Sequence, residues 1–235
     1  MTDTKIDQVF ERVARAPHQV ERAVLDRIST TLCSSLRPVR PLPANGLLIM
    51  GVLFVCGAIA FGGAAQSGFF GFHALGIAAR VIVLSTLGIL AWVAARECVG
   101  YWIPGSRHNV TPWGFVALSC AALLSVFALL FHDYGTEHFF SAGVICLSAG
   151  VTHAIPAACI VAWLLRRGLL TEVVSGGAIA GALGGLTGVM MLELHCAKLE
   201  APHILLWHVA VVPVSAAAGA LVGWGASRFN FFARR

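Results

Sequence analysis

Six long apolar runs decide what this chain can become. They cover about residues 46–65, 74–95, 113–131, 141–165, 172–194 and 203–225, and each is continuously apolar rather than alternating. A helix needs about 20 apolar residues to cross a hydrocarbon core of roughly 30 Å, whereas outer-membrane strands alternate over about ten. The runs therefore read as helices. Only 11% of the residues are charged, against about 25% in a soluble domain. That excludes a cytosolic globular enzyme. Seven cysteines, widely spread and mostly inside apolar runs, exclude a disulfide-stapled secreted domain. The expected fold is an all-α polytopic membrane protein. It has a short amphipathic helical segment over 1–44, six transmembrane helices over 45–227 and a basic tail over 228–235.

Orientation follows from the distribution of Lys and Arg at the span ends. Fourteen fall on one side: seven before the first span, then Arg96, Arg107, Arg166, Arg167 and three in the tail. Only Arg80 and Lys198 fall on the other. Both termini are thus expected in the cytoplasm, with the loops near 66–73, 132–140 and 195–202 facing outward. The first 44 residues are polar and charged, so no cleavable signal peptide is expected and the first span serves as the anchor. The net charge of +5 comes from residues flanking the spans. It predicts lipid as a neighbour and no direct nucleic-acid contact.

Lipid gives helices no hydrophobic reason to associate, so small residues and polar contacts must do it. Gly177, Gly181 and Gly185 recur at four-residue spacing in the fifth span, with Gly184 and Gly188 offset from them. This seam is expected to pack the fifth span against a neighbour, and it is also a candidate surface for a homodimer. Pro156 and Pro213 lie inside the fourth and sixth spans, where a bundle tolerates them. Cys56, Cys120 and Cys159 read as buried packing residues, and Cys33 and Cys98 as cytoplasmic thiols. His153, near the middle of the fourth span, is expected to face the bundle interior. Arg80 is expected to snorkel outward.

The outward rim is rich in ligand chemistry. His73, His132, His138, His195 and His203 lie in outer loops or at span ends, with His208 slightly deeper; Cys196 adjoins His195, and Cys146 opens the fourth span. Imidazoles and thiols are the ligands of borderline and soft metals. No Cys-x-x-Cys or His-Glu-x-x-His motif is present. Three readings stay open: a metal site drawing on His195, Cys196, His203 and His208, a disulfide, or simple interfacial anchoring.

Before the first span, Ile6, Val9, Phe10, Val13, Val20, Val24, Leu25 and Ile28 recur largely at helical spacing between charged residues. Pro17 is expected to divide the pattern into two helices. Such a short amphipathic helix is marginal alone, so its apolar face needs a partner. Its mixed charge suits a groove on a soluble protein better than a lipid surface, and packing on the chain's own loops as a tether stays open beside it.

Two stretches carry a family resemblance. Leu32 to Pro43, LCSSLRPVRPLP, resembles the region before the first span of NrsF-type proteins. A longer match runs from Cys146-Leu147 through Pro156 and Leu164 to Gly168. It continues through the glycine-rich fifth span to Leu194–Cys196, Ala201-Pro202 and Trp207. NrsF-type proteins are six-span anti-sigma factors of the bacterial inner membrane that restrain extracytoplasmic-function sigma factors. The resemblance implies signal-sensing cysteines at Cys146 and Cys196. It also implies a sigma-binding cytoplasmic segment, in which Val9, Phe10, Val13, Val20, Val24, Leu25 and Ile28 would fill a groove on the sigma factor. The chain departs from the family at Cys196-Ala197-Lys198, where CPE or CPD is usual, and at Trp207-His208, where WY is usual. A divalent metal enters as a possible signal, and His203 and His208 favour it. The competing class is a small transporter or channel with an outward His/Cys metal-binding rim. It calls for ionisable residues near the middle of several spans, and His153 alone is there. An enzyme is not expected, since neither a paired redox thiol motif nor a three-ligand hydrolase motif occurs.

Overall fold

The computed structural model describes residues 11, 22–35, 43–103, 109–165 and 172–228. These fall into two compact units, Met1–Pro41 and Leu42–Arg235. The first contributes helix α1 (Arg22–Ser35). Ser29, Thr30 and Thr31 turn their hydroxyls back onto the carbonyls of Asp26 and Arg27, as short polar side chains do on a helix. Val24, Leu25 and Ile28 are exposed on α1. Val9, Phe10, Val13 and Val20 lie outside the described residues.

The second unit is a helical bundle. It comprises α2 (Asn45–Ser67), the short α3 (Phe70–Ala74), α4 (Ile77–Trp102), α5 (Pro112–Leu130), α6 (Phe139–Leu165), α7 (Val173–His195) and α8 (Ala201–Arg228). All but α3 are long and apolar enough to cross a membrane, giving six such helices. No named strand occurs among the described residues. The helices match the six apolar runs to within a few residues at most ends. The second run differs most: its helix starts at Ile77 and continues through Arg96 and Glu97 to Trp102. Glu97 is buried, and its carboxylate accepts the Asn109 amide at 3.2 Å. Cys98 is fully buried inside α4.

Local chemistry sets the helix ends. Thr111 accepts the Gly114 amide at 3.2 Å and Pro112 occupies the first turn, which together start α5. At the end of α2 the chain turns at Gly68 with φ +97°, a conformation costly for any residue with a Cβ. Arg80, at the start of α4, reaches back along the chain. Its Nε donates to Leu75 O at 2.7 Å, and its guanidinium sits 4.4 Å from the Phe72 ring centre.

Helix α7 is the hub and is buried along most of its length. Its glycines allow two close approaches, about 60° apart around the helix at 100° per residue. On one side a Cβ at Gly177 or Gly181 would run into the carbonyl of Gly219 or Ser215 on α8, and one at Gly185 would lie 2.8 Å from Val212 Cα. On the other side Gly184 and Gly188 face the carbonyls of Ala154 and Gly150 on α6. Backbones this close gain dispersion and Cα–H···O contacts that lipid cannot replace. The seam thus packs α7 against α8 and α6 within the chain. His153 packs against Gly63 of α2 and its Nδ1 lies 2.9 Å from Ala149 O, which places it within the bundle. Cys56 is buried, Cys120 is half-buried, and Cys159 is exposed on the bundle surface rather than packed inside.

Candidate functional site

Cys146, Cys196, His203 and His208 converge at the end of the bundle that carries the turn around Gly68, the loop after α5 and the α7–α8 connection. One ligand atom from each of the four lies within 4.8 Å of every other. The Sγ atoms of Cys146 and Cys196 are 3.7 Å apart, in contact and unbonded. Cys196 Sγ is also 3.7 Å from His203 Nε2. Cys196, His203 and His208 are buried and Cys146 is half-buried.

Each side chain is placed by a separate local device. Cys146 lies about two turns into α6, one turn beyond Gly143, and the Trp207 indole packs where a Cβ of Gly143 would sit. Phe139 and Phe140 flank the same indole, at 5.7 and 6.1 Å between ring centres. Cys196 is the residue immediately after α7, where its amide still bonds Leu192 O at 2.7 Å. The chain there is held from two sides. Gly71 of α3 sits against the carbonyls of Glu193 and Cys196, and Ala201 N donates to Asp133 O at 2.6 Å. The Cys146 thiol against it, together with burial, pushes the Cys196 thiol above the ordinary cysteine value.

The two histidines depend on an irregularity in α8. In an α-helix five residues advance about 500°, so positions i and i+5 point about 140° apart. Residues Ile204–His208 instead form a π-helical turn, closed by the Val209 amide onto Ile204 O. The wider i→i+5 pairing brings the His203 and His208 rings together, 5.3 Å between centres. His208 Nδ1 is then 2.7 Å from Glu193 Oε1, a pair with both side chains almost wholly enclosed. That leaves His208 Nε2 buried without a hydrogen-bond partner.

His195, one of the four expected ligands, falls outside this set. Its Nδ1 lies 3.0 Å from Gly68 O, and its ring packs on Phe70, 5.9 Å between centres. Neighbours in sequence at a helix end point in different directions, so His195 and Cys196 share a depth and not a site. Cys146 takes its place. Glu193 belongs to no sequence motif; its pairing with His208 depends on the π-turn.

The family model described as Negative regulator of sigma F (NrsF) matches residues 32–229. The chain belongs to the NrsF family. The match spans all six long helices and includes Cys146, Cys196, His203 and His208. It begins inside α1, after Val24, Leu25 and Ile28. By family, this NrsF protein is a negative regulator of a sigma factor, a class of regulators and not of enzymes. No curated protein and no solved structure gives a match.

Proposed function

We propose that this NrsF protein is a membrane-anchored anti-sigma factor. In this reading it crosses the bacterial inner membrane six times, with both termini in the cytoplasm. Its N-terminal segment, residues 1–44, sequesters an extracytoplasmic-function sigma factor. An envelope, metal or redox signal reaches the Cys146–Cys196 pair at the outer face and releases the sigma factor. The family match over residues 32–229 carries the regulatory part. The 14-to-2 distribution of Lys and Arg supports the orientation.

Support for the gripping element comes from α1. Val24 and Ile28 are four residues apart and Leu25 and Ile28 three, so they share one helical face, and all three are exposed. An amphipathic helix of this kind buries its apolar face in a partner's groove. Val9, Phe10, Val13 and Val20 extend the same pattern in sequence. A signal works only by binding the gripping and released states unequally. About 2.7 kcal/mol of difference changes sigma binding roughly a hundredfold.

Deleting residues 1–44 tests this reading. The truncated protein should still insert in the membrane, fail to co-purify the sigma factor and derepress its target genes. Co-purification equal to the full-length chain would refute the assignment.

A further inference from the structure

The geometry points to a tetrahedral metal site made by Cys146, Cys196, His203 and His208, with Glu193 holding His208 in its ligating form. The ion is divalent and borderline to soft, with zinc the natural occupant. The assignment stands on these side chains alone, independently of what the N-terminal segment grips.

Distances come first. With bonds of about 2.3 Å to sulfur and about 2.05 Å to nitrogen, a tetrahedral ion sets its sulfurs about 3.8 Å apart and sulfur from nitrogen about 3.6 Å. The Cys146–Cys196 and Cys196–His203 separations are both 3.7 Å. Two of the six ligand pairs therefore already sit at the spacing a bound ion would impose, and all four ligand atoms lie within 4.8 Å of one another.

The second observation is independent of those distances. Buried polar atoms nearly always find a partner, yet His208 Nε2 is fully enclosed and has none. Its other nitrogen faces the Glu193 carboxylate at 2.7 Å. Such a carboxylate fixes the imidazole with its proton on Nδ1, turning a basic Nε2 lone pair toward the ligand set, as in carboxylate–histidine–zinc arrangements. Glu193 is thus a positioning residue and not a ligand.

Charge and coordination agree. On binding, each thiol gives up its proton to solvent, and the two thiolates balance the two positive charges of the ion while both imidazoles stay neutral. Four protein ligands complete the tetrahedron and leave no open position, which marks a structural or sensing site rather than a catalytic one. The ligands come from α6, from the residue that follows α7 and from the first turns of α8. A bound ion therefore ties three helices together where the chain otherwise relies on side-chain contacts.

The test uses the full-length chain in detergent, reduced and stripped of metal, titrated with Co²⁺. The wild type should bind one Co²⁺ per chain, with the intense visible bands of tetrahedral cobalt and thiolate charge-transfer bands in the near ultraviolet, both displaced by Zn²⁺. Cys146→Ser and His208→Gln should lose that spectrum. Glu193→Gln should keep it with affinity reduced about 10- to 100-fold. His195→Ala should bind as the wild type does. Circular dichroism and monodisperse elution establish that each variant is folded, and Cys146→Ser carries the test if His208→Gln is not. The assignment is overturned if the reduced wild type shows no tetrahedral spectrum, or if Cys146→Ser binds cobalt unchanged. A Cys146–Cys196 disulfide whose reduction leaves the chain unable to bind cobalt would overturn it too. None of these readouts involves the sigma factor, so failure here is distinct from failure of the anti-sigma reading.

Discussion

Replacing Gly181 by alanine separates the packing account from ordinary helix propensity. A methyl there would meet the Ser215 carbonyl of α8 and would lie 3.1 Å from Ala216 Cα. Carbon atoms pack best at about 3.5–4.0 Å, and the obstacle is backbone that no rotamer change can move. Relief requires α7 and α8 to part along the whole Gly177–Gly181–Gly185 seam. Overpacking of this kind costs about 1–3 kcal/mol. Alanine also gains up to about 1 kcal/mol of helix propensity over glycine, which would mask part of the loss. Gly57→Ala supplies the correction, because a Cβ at Gly57 meets nothing within 4 Å. The gap between the two variants isolates the clash. At about 2–4 °C per kcal/mol for a chain of this size, Gly181→Ala should melt roughly 2–12 °C below Gly57→Ala. Thermal unfolding in detergent, followed by size-exclusion recovery, measures it. Equal melting temperatures would refute the claim that the seam is closed by backbone contact.

Other outcomes follow from the same structure. Thr111→Ala removes the cap of α5 and leaves the Gly114 amide without its acceptor, so it should cost about 1 kcal/mol in the same melting assay. Val24→Asp combined with Ile28→Asp should weaken capture of the sigma factor by more than a hundredfold, since each buried side chain is worth about 1.5–3 kcal/mol. The bundle's melting temperature should stay unchanged. Pull-down by the full-length chain and the melting assay read the two effects separately.

The bundle was legible in the sequence because lipid imposes a simple rule: a spanning helix must be long, continuously apolar and internally hydrogen-bonded. The one large boundary shift came at Arg96 and Glu97. Charge ended the apolar run there, but the helix continued because Glu97 finds the Asn109 amide. The glycine periodicity located the seam, though not its second face toward α6. The site was legible as a collection of residue types and not as a constellation. An outward position brings His195, Cys196, His203 and His208 into one group, and position alone does not tell which of them converge. What brings His203 and His208 together is a π-turn, and a single sequence carries no periodic signal for one inserted residue in a helix. The convergence of Cys146 on that turn depends on Gly143 admitting the Trp207 ring, a long-range contact that local patterns do not encode.

The proposed topology puts the gripping segment and the Cys/His site on opposite sides of the membrane. Sided labelling in spheroplasts measures this directly, using the native Cys33 of α1 and a cysteine introduced by Thr136→Cys in the exposed loop before α6. A membrane-impermeant maleimide should modify residue 136 in intact spheroplasts and Cys33 only after lysis. Modification of both positions before lysis, or of neither, would contradict that topology.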